Sequence, residues 1–255
     1  MKQFISFTKK ELRESIATYR LYILLAVFVI VGIMGPLIAM ITPALFESLS
    51  GEDFIVIYMP EPTAVDSWTQ FFSGFSQMAI PALAIIFSGI MANEFSRGTL
   101  LNLLTKGLNR GTVIMAKFFS ASILWTVSFV ICIAVCYVYT ALLWDMDAIN
   151  YIILVFGAPW LFGLLMISLL IFGGTLSGSF YGSLFSCFGA IGVMFAIGFI
   201  PGVPRFNPLS LTSGTLSIIR GTGTPSDFIP AAIICAIATI TLLAGSIALF
   251  NKKKL

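Results

Sequence analysis

Residues 152–200 form a run of 49 with no charged side chain, and nothing constrains the fold of this chain more. A single helix of that length would be about 74 Å long, more than twice the ~30 Å hydrocarbon core of a bilayer. The run therefore reads as two crossings, broken at Ser177-Gly178-Ser179-Phe180-Tyr181-Gly182. Gly174, Gly178, Gly182, Ser186 and Ala190 are spaced by four, a stripe that would favour close helix contact in an unbroken helix; length decides for the turn. Apolar runs at 21–41, 71–92, 112–143 and 228–250 complete a count of six. They are continuous rather than alternating with period two, so they predict helices and not barrel strands. Hydrophobic residues make up 58% of the chain and charged ones 10%, against roughly 25% charged in a soluble domain. The expected fold class is an all-α membrane protein with six transmembrane helices, in a single transmembrane domain over 1–255.

The few charges are sorted. Lys2, Lys9, Lys10, Arg13, Arg20, Arg97, Lys106, Arg110, Lys117, Lys252, Lys253 and Lys254 fall on one side of the predicted spans, and only Arg205 and Arg220 on the other. Glu47, Glu52, Asp53, Glu61, Asp66, Asp145, Asp147 and Asp227 lie opposite the basic side. The positive-inside rule then puts both termini and residues 93–117 in the cytoplasm, as an even number of crossings requires.

Residues 1–20 read as an amphipathic helix in the cytoplasmic interface rather than a signal peptide. Ile5, Leu12, Ile16 and Tyr19 share a stripe, Lys9 and Lys10 snorkel to the headgroups, and Lys10, Glu11 and Glu14 face away. Gly35-Pro36 predicts a kink in span one. Residues 42–70 read as an acidic outer loop with Trp68 as an interfacial anchor. Pro81 interrupts span two, and Asp145 and Asp147 form a tight outer turn. Span three, at about 48 Å, must tilt or project into the cytoplasm. Residues 209–219 are apolar but too short to cross, and Pro201, Pro204, Pro208 and Pro225 flank them. That pattern predicts a re-entrant or interfacial hairpin on the outer face, with a plain loop as the alternative.

The one polar island is 93–117, Asn-Glu-Phe-Ser-Arg-Gly-Thr onward. Thr99 follows the breaker Gly98 and suits an N-cap; Leu100, Leu101, Leu103 and Leu104 cluster; Lys106 falls in the last turn and Gly107 suits the C′ position. This is a helix of about two turns, too short to stand alone in water. Its leucines, ringed by Arg97, Lys106 and Arg110, need a cover, either a partner protein or the bilayer.

Several chemistries are missing. No histidine occurs, which removes His-ligated metals, haem and Ser-His-Asp catalysis. Cys132, Cys136, Cys187 and Cys235 all lie in apolar spans without a CxxC, and read as small buried hydrophobes. No GxxxxGK[ST] is present to cradle a nucleotide. Every ionisable group sits in a loop or at a span end, unlike the relays of ion-coupled carriers. Ser122, Thr126, Ser128, Thr175 and Ser183 within the spans read as satisfying backbone groups. Glu52/Asp53 and Asp145/Asp147 read as solvated turns.

Six spans, an amphipathic island and no motor point to a borrowed one, and here the chain resembles the membrane-spanning subunit of bacterial ABC-2 type (type V) transporters. The resemblance rests on Glu94, Gly98-Thr99, Leu100 to Leu104, Lys106-Gly107, Arg110 and Lys117, which match the family's coupling helix between spans two and three. It extends to the N-terminal interfacial helix and the outer hairpin before span six. It implies two permease chains around a central path and two copies of a separate ATP-binding subunit, which would hold ATP and magnesium. Glu94, Arg97, Gly98, Thr99, Leu100, Leu101, Leu103, Leu104, Lys106 and Arg110 would dock that subunit, the leucines as anchor and the basic residues as rim. The expected function is the permease half of an ATP-driven exporter of an amphipathic drug, peptide or lipid-like molecule, with no enzymatic activity or cofactor of its own. The alternatives are a non-transporting anchor or immunity protein that recruits an ATPase, and an autonomous channel or carrier.

Overall fold

The structure, a computed structural model, describes residues 2–49, 61–96, 109–145 and 151–253. Ten α-helices occur among them, and no strand: α1 (Lys2–Ala17), α2 (Arg20–Leu49), α3 (Ala64–Gly74), α4 (Ile80–Ser96), α5 (Arg110–Leu143), α6 (Ile152–Ser177), α7 (Phe180–Ile197), α8 (Ser210–Ser213), α9 (Thr215–Ile219) and α10 (Ile229–Lys252). A π-helical turn, Phe75–Ala79, joins α3 to α4. Six of these stretches are long and apolar enough to cross a membrane: α2, α3 through α4, α5, α6, α7 and α10.

The break predicted inside the charge-free run is present. Gly178 ends α6 with a left-handed φ of 69°, which costs glycine least. Ser179 then accepts a bond from the Gly182 amide (3.1 Å) as N-cap of α7. The small residues serve the resulting antiparallel hairpin. A Cβ on Gly173 would lie 2.4 Å from that of Ser186, and the Ser183 hydroxyl donates to the Leu170 carbonyl (2.7 Å).

Span two begins earlier than its hydrophobicity suggests. Asp66 accepts from the amide (2.9 Å) and hydroxyl (2.8 Å) of Thr63 and starts α3 inside the stretch read as an outer loop. Helix α2 likewise runs through Pro36 and Pro43 to Leu49, so the segment read as loop is helical at both ends. The π turn just before Pro81 has a physical cause: proline offers no amide and its ring crowds the carbonyl four residues back, and widening that turn relieves both.

Trp68 is not an interfacial anchor. It is buried edge-on against Phe71 and Phe156, 5.5 and 5.4 Å between ring centres. It belongs to an aromatic core with Phe28, Phe75, Trp125 and Phe129, in which α2, α3 and α5 meet. Helix α6 is apolar on every side because it packs against α4, α5, α7 and α10. At Gly163 a Cβ would come within 2.2 Å of the Trp125 ring, so only glycine lets α5 and α6 cross this closely. Ser122, Thr126, Thr175 and Ser183 bond backbone carbonyls as expected. Ser128 is buried with no partner among the described residues.

The segment between α7 and α10 folds as Ser210–Ser213 and Thr215–Ile219, with 3-10 turns Pro204–Phe206 and Pro225–Asp227 on either side. Leu211 and Ile218 are buried, and the segment packs back on α3 and α6.

Candidate functional site

The C-terminal end of α4 and the N-terminal part of α5 meet through Glu94 and Lys117, and residues 97–108 join them along the chain. Of the predicted docking residues, Arg97, Gly98, Thr99, Leu100, Leu101, Leu103, Leu104 and Lys106 lie outside the described residues. Glu94 and Arg110, at the two feet of the segment, lie within them.

Lys117 projects from the third turn of α5, about 10 Å past its start, and is 2% exposed. A charge so far into an apolar helix needs counter-ions. Its Nζ donates to Glu94 Oε1 (3.0 Å) and to Glu11 Oε2 (2.9 Å), both residues 5% exposed. Three elements thus meet on one ammonium: the end of α4, the start of α5, and α1. Lys10 approaches from the open side, 3.4 Å from Glu94, 3.2 Å from Glu11 and 3.1 Å from Glu14. Partial burial works to lower the Lys10 pKa, but the carboxylates of Glu11, Glu94 and Glu14 outweigh it and the net shift is upward. A cavity of about 230 Å³ opens beside this cluster, with Arg20 and Asn93 on its wall. Glu11, Glu14 and Glu94 have the proximity of a metal cage, and in this structure the ammonium groups of Lys10 and Lys117 lie among them.

Helix α1 therefore does not turn Glu11 away, as its amphipathic pattern suggested. Phe7, Thr8, Glu11 and Ser15 form its buried face against α5, and Phe4 packs on Phe119 at 5.9 Å. The predicted stripe points outward from the protein: Ile5 and Ile16 are exposed, Leu12 half-buried. Tyr19, also exposed, lies past the helix end in a tight turn with φ 59°. Lys9 and Lys10 are exposed too. One signal could have found Glu11: it sits four residues from both Phe7 and Ser15, on a face that the apolar stripe leaves free.

Arg110 has a second attachment. Its guanidinium donates to the carbonyls of Phe250, Asn251 (3.3 Å) and Lys253 (2.8 Å), and lies over the Phe250 ring at 5.4 Å. It thereby satisfies the orphan carbonyls at the end of α10. Lys253 repeats the device one helix on, donating to the Thr175 carbonyl (2.9 Å) at the end of α6 and resting on Phe95 at 4.2 Å. Burial lowers the Lys253 pKa. Asn109 caps α5 through the Gly111 amide (3.0 Å).

Each foot of the 97–108 segment is thus bolted twice. Glu94 and Lys117 hold α1, while Phe95 and Arg110 hold the ends of α6 and α10. All these termini share one end of the bundle. What the arrangement offers is mechanical: a displacement of the segment reaches five helices through buried or half-buried contacts. Compared with known families, residues 5–255 match the model described as "ABC-2 family transporter protein". A comparison with curated proteins finds no match.

Proposed function

We propose, from the premise that this chain belongs to the ABC-2 transporter family, that residues 97–108 are the point at which an ATP-binding subunit drives it. Membership makes the chain a multi-pass permease subunit of an ABC transporter, associated with a separate ABC ATP-binding subunit. The observation that carries the docking reading is the rigid seat: Glu94 and Lys117 close the two feet of the segment with a buried 3.0 Å ion pair. A seat this stiff transmits a push into α4 and α5 instead of absorbing it. Leu100, Leu101, Leu103 and Leu104 then fill a groove on the ATP-binding subunit, and Arg97 and Lys106 set its orientation. That subunit holds ATP and magnesium.

We further propose that two permease chains pair around a central path, with two ATP-binding subunits below. Span two supports this. Asp66, Gln70, Ser73 and Gln77 fall on one exposed to half-exposed face of it, and the Gln77 amide donates to Ser73 (2.9 Å). The span is 33 residues, about 50 Å, and a ~30 Å hydrocarbon core centred on it takes in Gln77. Side-chain amides at that depth face protein or water, not lipid tails. The basic end of the bundle then faces the cytoplasm of a bacterial plasma membrane, and the complex exports an amphipathic drug, peptide or lipid-like molecule.

The test is Leu100→Asp with Leu104→Asp in the complete complex. Copurification of the ATP-binding subunit should fall at least tenfold, since two anchor leucines are worth more than ~1.4 kcal/mol together. Undiminished copurification would remove the docking role from this segment.

A further inference from the structure

A pair with Glu94 alone would neutralise Lys117 and join α4 to α5. Glu11 is surplus to that need, yet it too gives up its hydration to bond Lys117 at 2.9 Å. What it adds is the attachment of α1. Phe7 lies against the same ammonium, 5.9 Å from Lys117 Nζ to its ring centre, and Phe4 against Phe119. Helix α1 in turn is separated from α2 by only Thr18 and Tyr19, and the amide of Ile23 bonds the Tyr19 carbonyl (3.0 Å). A displacement of α1 therefore passes directly into the first span.

We propose that Glu11 is a positioning residue of the transmission: through Lys117 it makes the N-terminal helix move with the feet of the 97–108 segment, so that each nucleotide cycle drives α2 as well as α4 and α5. This rests on the reading that the segment docks an ATP-binding subunit. Lys10, within 3.4 Å of Glu11, Glu14 and Glu94, shields the third carboxylate and holds the cluster together from the solvent side. The arrangement is asymmetric. Removing Glu11 leaves Lys117 paired with Glu94 and takes away the buried ion pair between α1 and α5, with Lys10–Glu94 and Phe4–Phe119 remaining; removing Lys117 takes the buried ammonium from Glu11 and Glu94 at once.

The experiment uses the full chain with its copurifying ATP-binding subunit in nanodiscs. Ser48→Cys, exposed near the far end of α2, serves as reporter, labelled by a membrane-impermeant maleimide; the chain without it is the blank, its native cysteines being buried. Labelling is compared between the nucleotide-free and vanadate-trapped complexes. With Glu11 intact the two rates should differ roughly fivefold or more, the low end of common coupling factors. With Glu11→Gln the ratio should fall at least twofold while the ATP-binding subunit still copurifies. The same substitution should leave the ratio read at Gln77→Cys, on the span driven directly through Glu94, unchanged. A Glu11→Gln complex that keeps the full ratio at Ser48 overturns the inference, as does one in which the ratio at Gln77 falls equally. Loss of copurification in Glu11→Gln also overturns it, by making Glu11 part of docking rather than transmission. A ratio of one with Glu11 intact instead sinks the docking reading itself, and this inference with it.

Discussion

Lys117 shows what a single side chain reveals before and after folding. In the sequence it opens span three and counts as one more charge on the basic side. In the structure it is the most buried cation among the described residues and joins three elements. Truncating one partner of a buried pair costs about 3–5 kcal/mol, because the groups left behind stay desolvated. Lys117→Met should therefore lower the thermal midpoint of the detergent-solubilised chain far more than Lys9→Met, whose side chain is exposed. Lys10 gives a pH prediction with a definite sign. Its pKa is raised on folding, so its contribution is fully present below the ordinary lysine value of 10.5 and is lost only as pH climbs through the higher folded value. The stability difference between the parent chain and Lys10→Met should then stay flat from roughly pH 6 to 9, as thermal melts across that range would show. A difference that grows or vanishes within that window would exclude Lys10 as a paired cation. A lone lysine in an apolar run announces its need for a counter-ion, and Glu94 is within reach of inspection. Glu11, more than a hundred residues away, is not, because a helix period says which residues share a face but not what that face meets.

Among elements, α6 was legible to within a residue, since its length and its terminal Ser-Gly-Ser turn are local properties. The start of span two was not. Polar residues such as Asp66, Ser67 and Gln70 lowered its hydrophobicity, whereas the Thr63–Asp66 cap and the burial of Trp68 made it helix. Close crossings were equally hidden: Gly163 reads as one glycine among 22 until Trp125 is found over it. Gly163→Ala should cost about 1–3 kcal/mol by overpacking. The upper part of that range is expected, because Trp125 Nε1 is held by the Trp160 carbonyl (3.1 Å) and cannot easily give way. A thermal melt of the variant checks it. Arg110→Ala removes the donor that covers the last carbonyls of α10, a loss of about 1–3 kcal/mol. It should speed amide exchange over residues 249–253 while leaving that of α7 unchanged; equal rates would show that the end of α10 stands without the clamp.

For the whole molecule, the termini at 17, 96, 110, 177, 180 and 252 gather at one end, and those at 64, 143, 152, 197 and 229 at the other. Of the basic residues described, only Arg205 and Arg220 belong to the second end. In intact cells an impermeant maleimide should therefore label Arg220→Cys and Asp145→Cys, while Lys9→Cys and Lys252→Cys react only after the membrane is opened. All four sites are exposed, so the opposite pattern would invert the proposed topology and overturn the proposed docking of residues 97–108 to a cytoplasmic subunit.

By itself the sequence determined the solvent, the number of crossings, their alternation and the family, because each depends on hydropathy, charge and spacing along the chain. Only the tertiary structure decided that α1 is tied to the feet of the 97–108 segment, that Arg110 and Lys253 clamp the ends of α10 and α6, and that Trp68 is core. Those outcomes depend on which surfaces meet across long separations, and a buried charge selects its partner by distance in space, which no local pattern encodes.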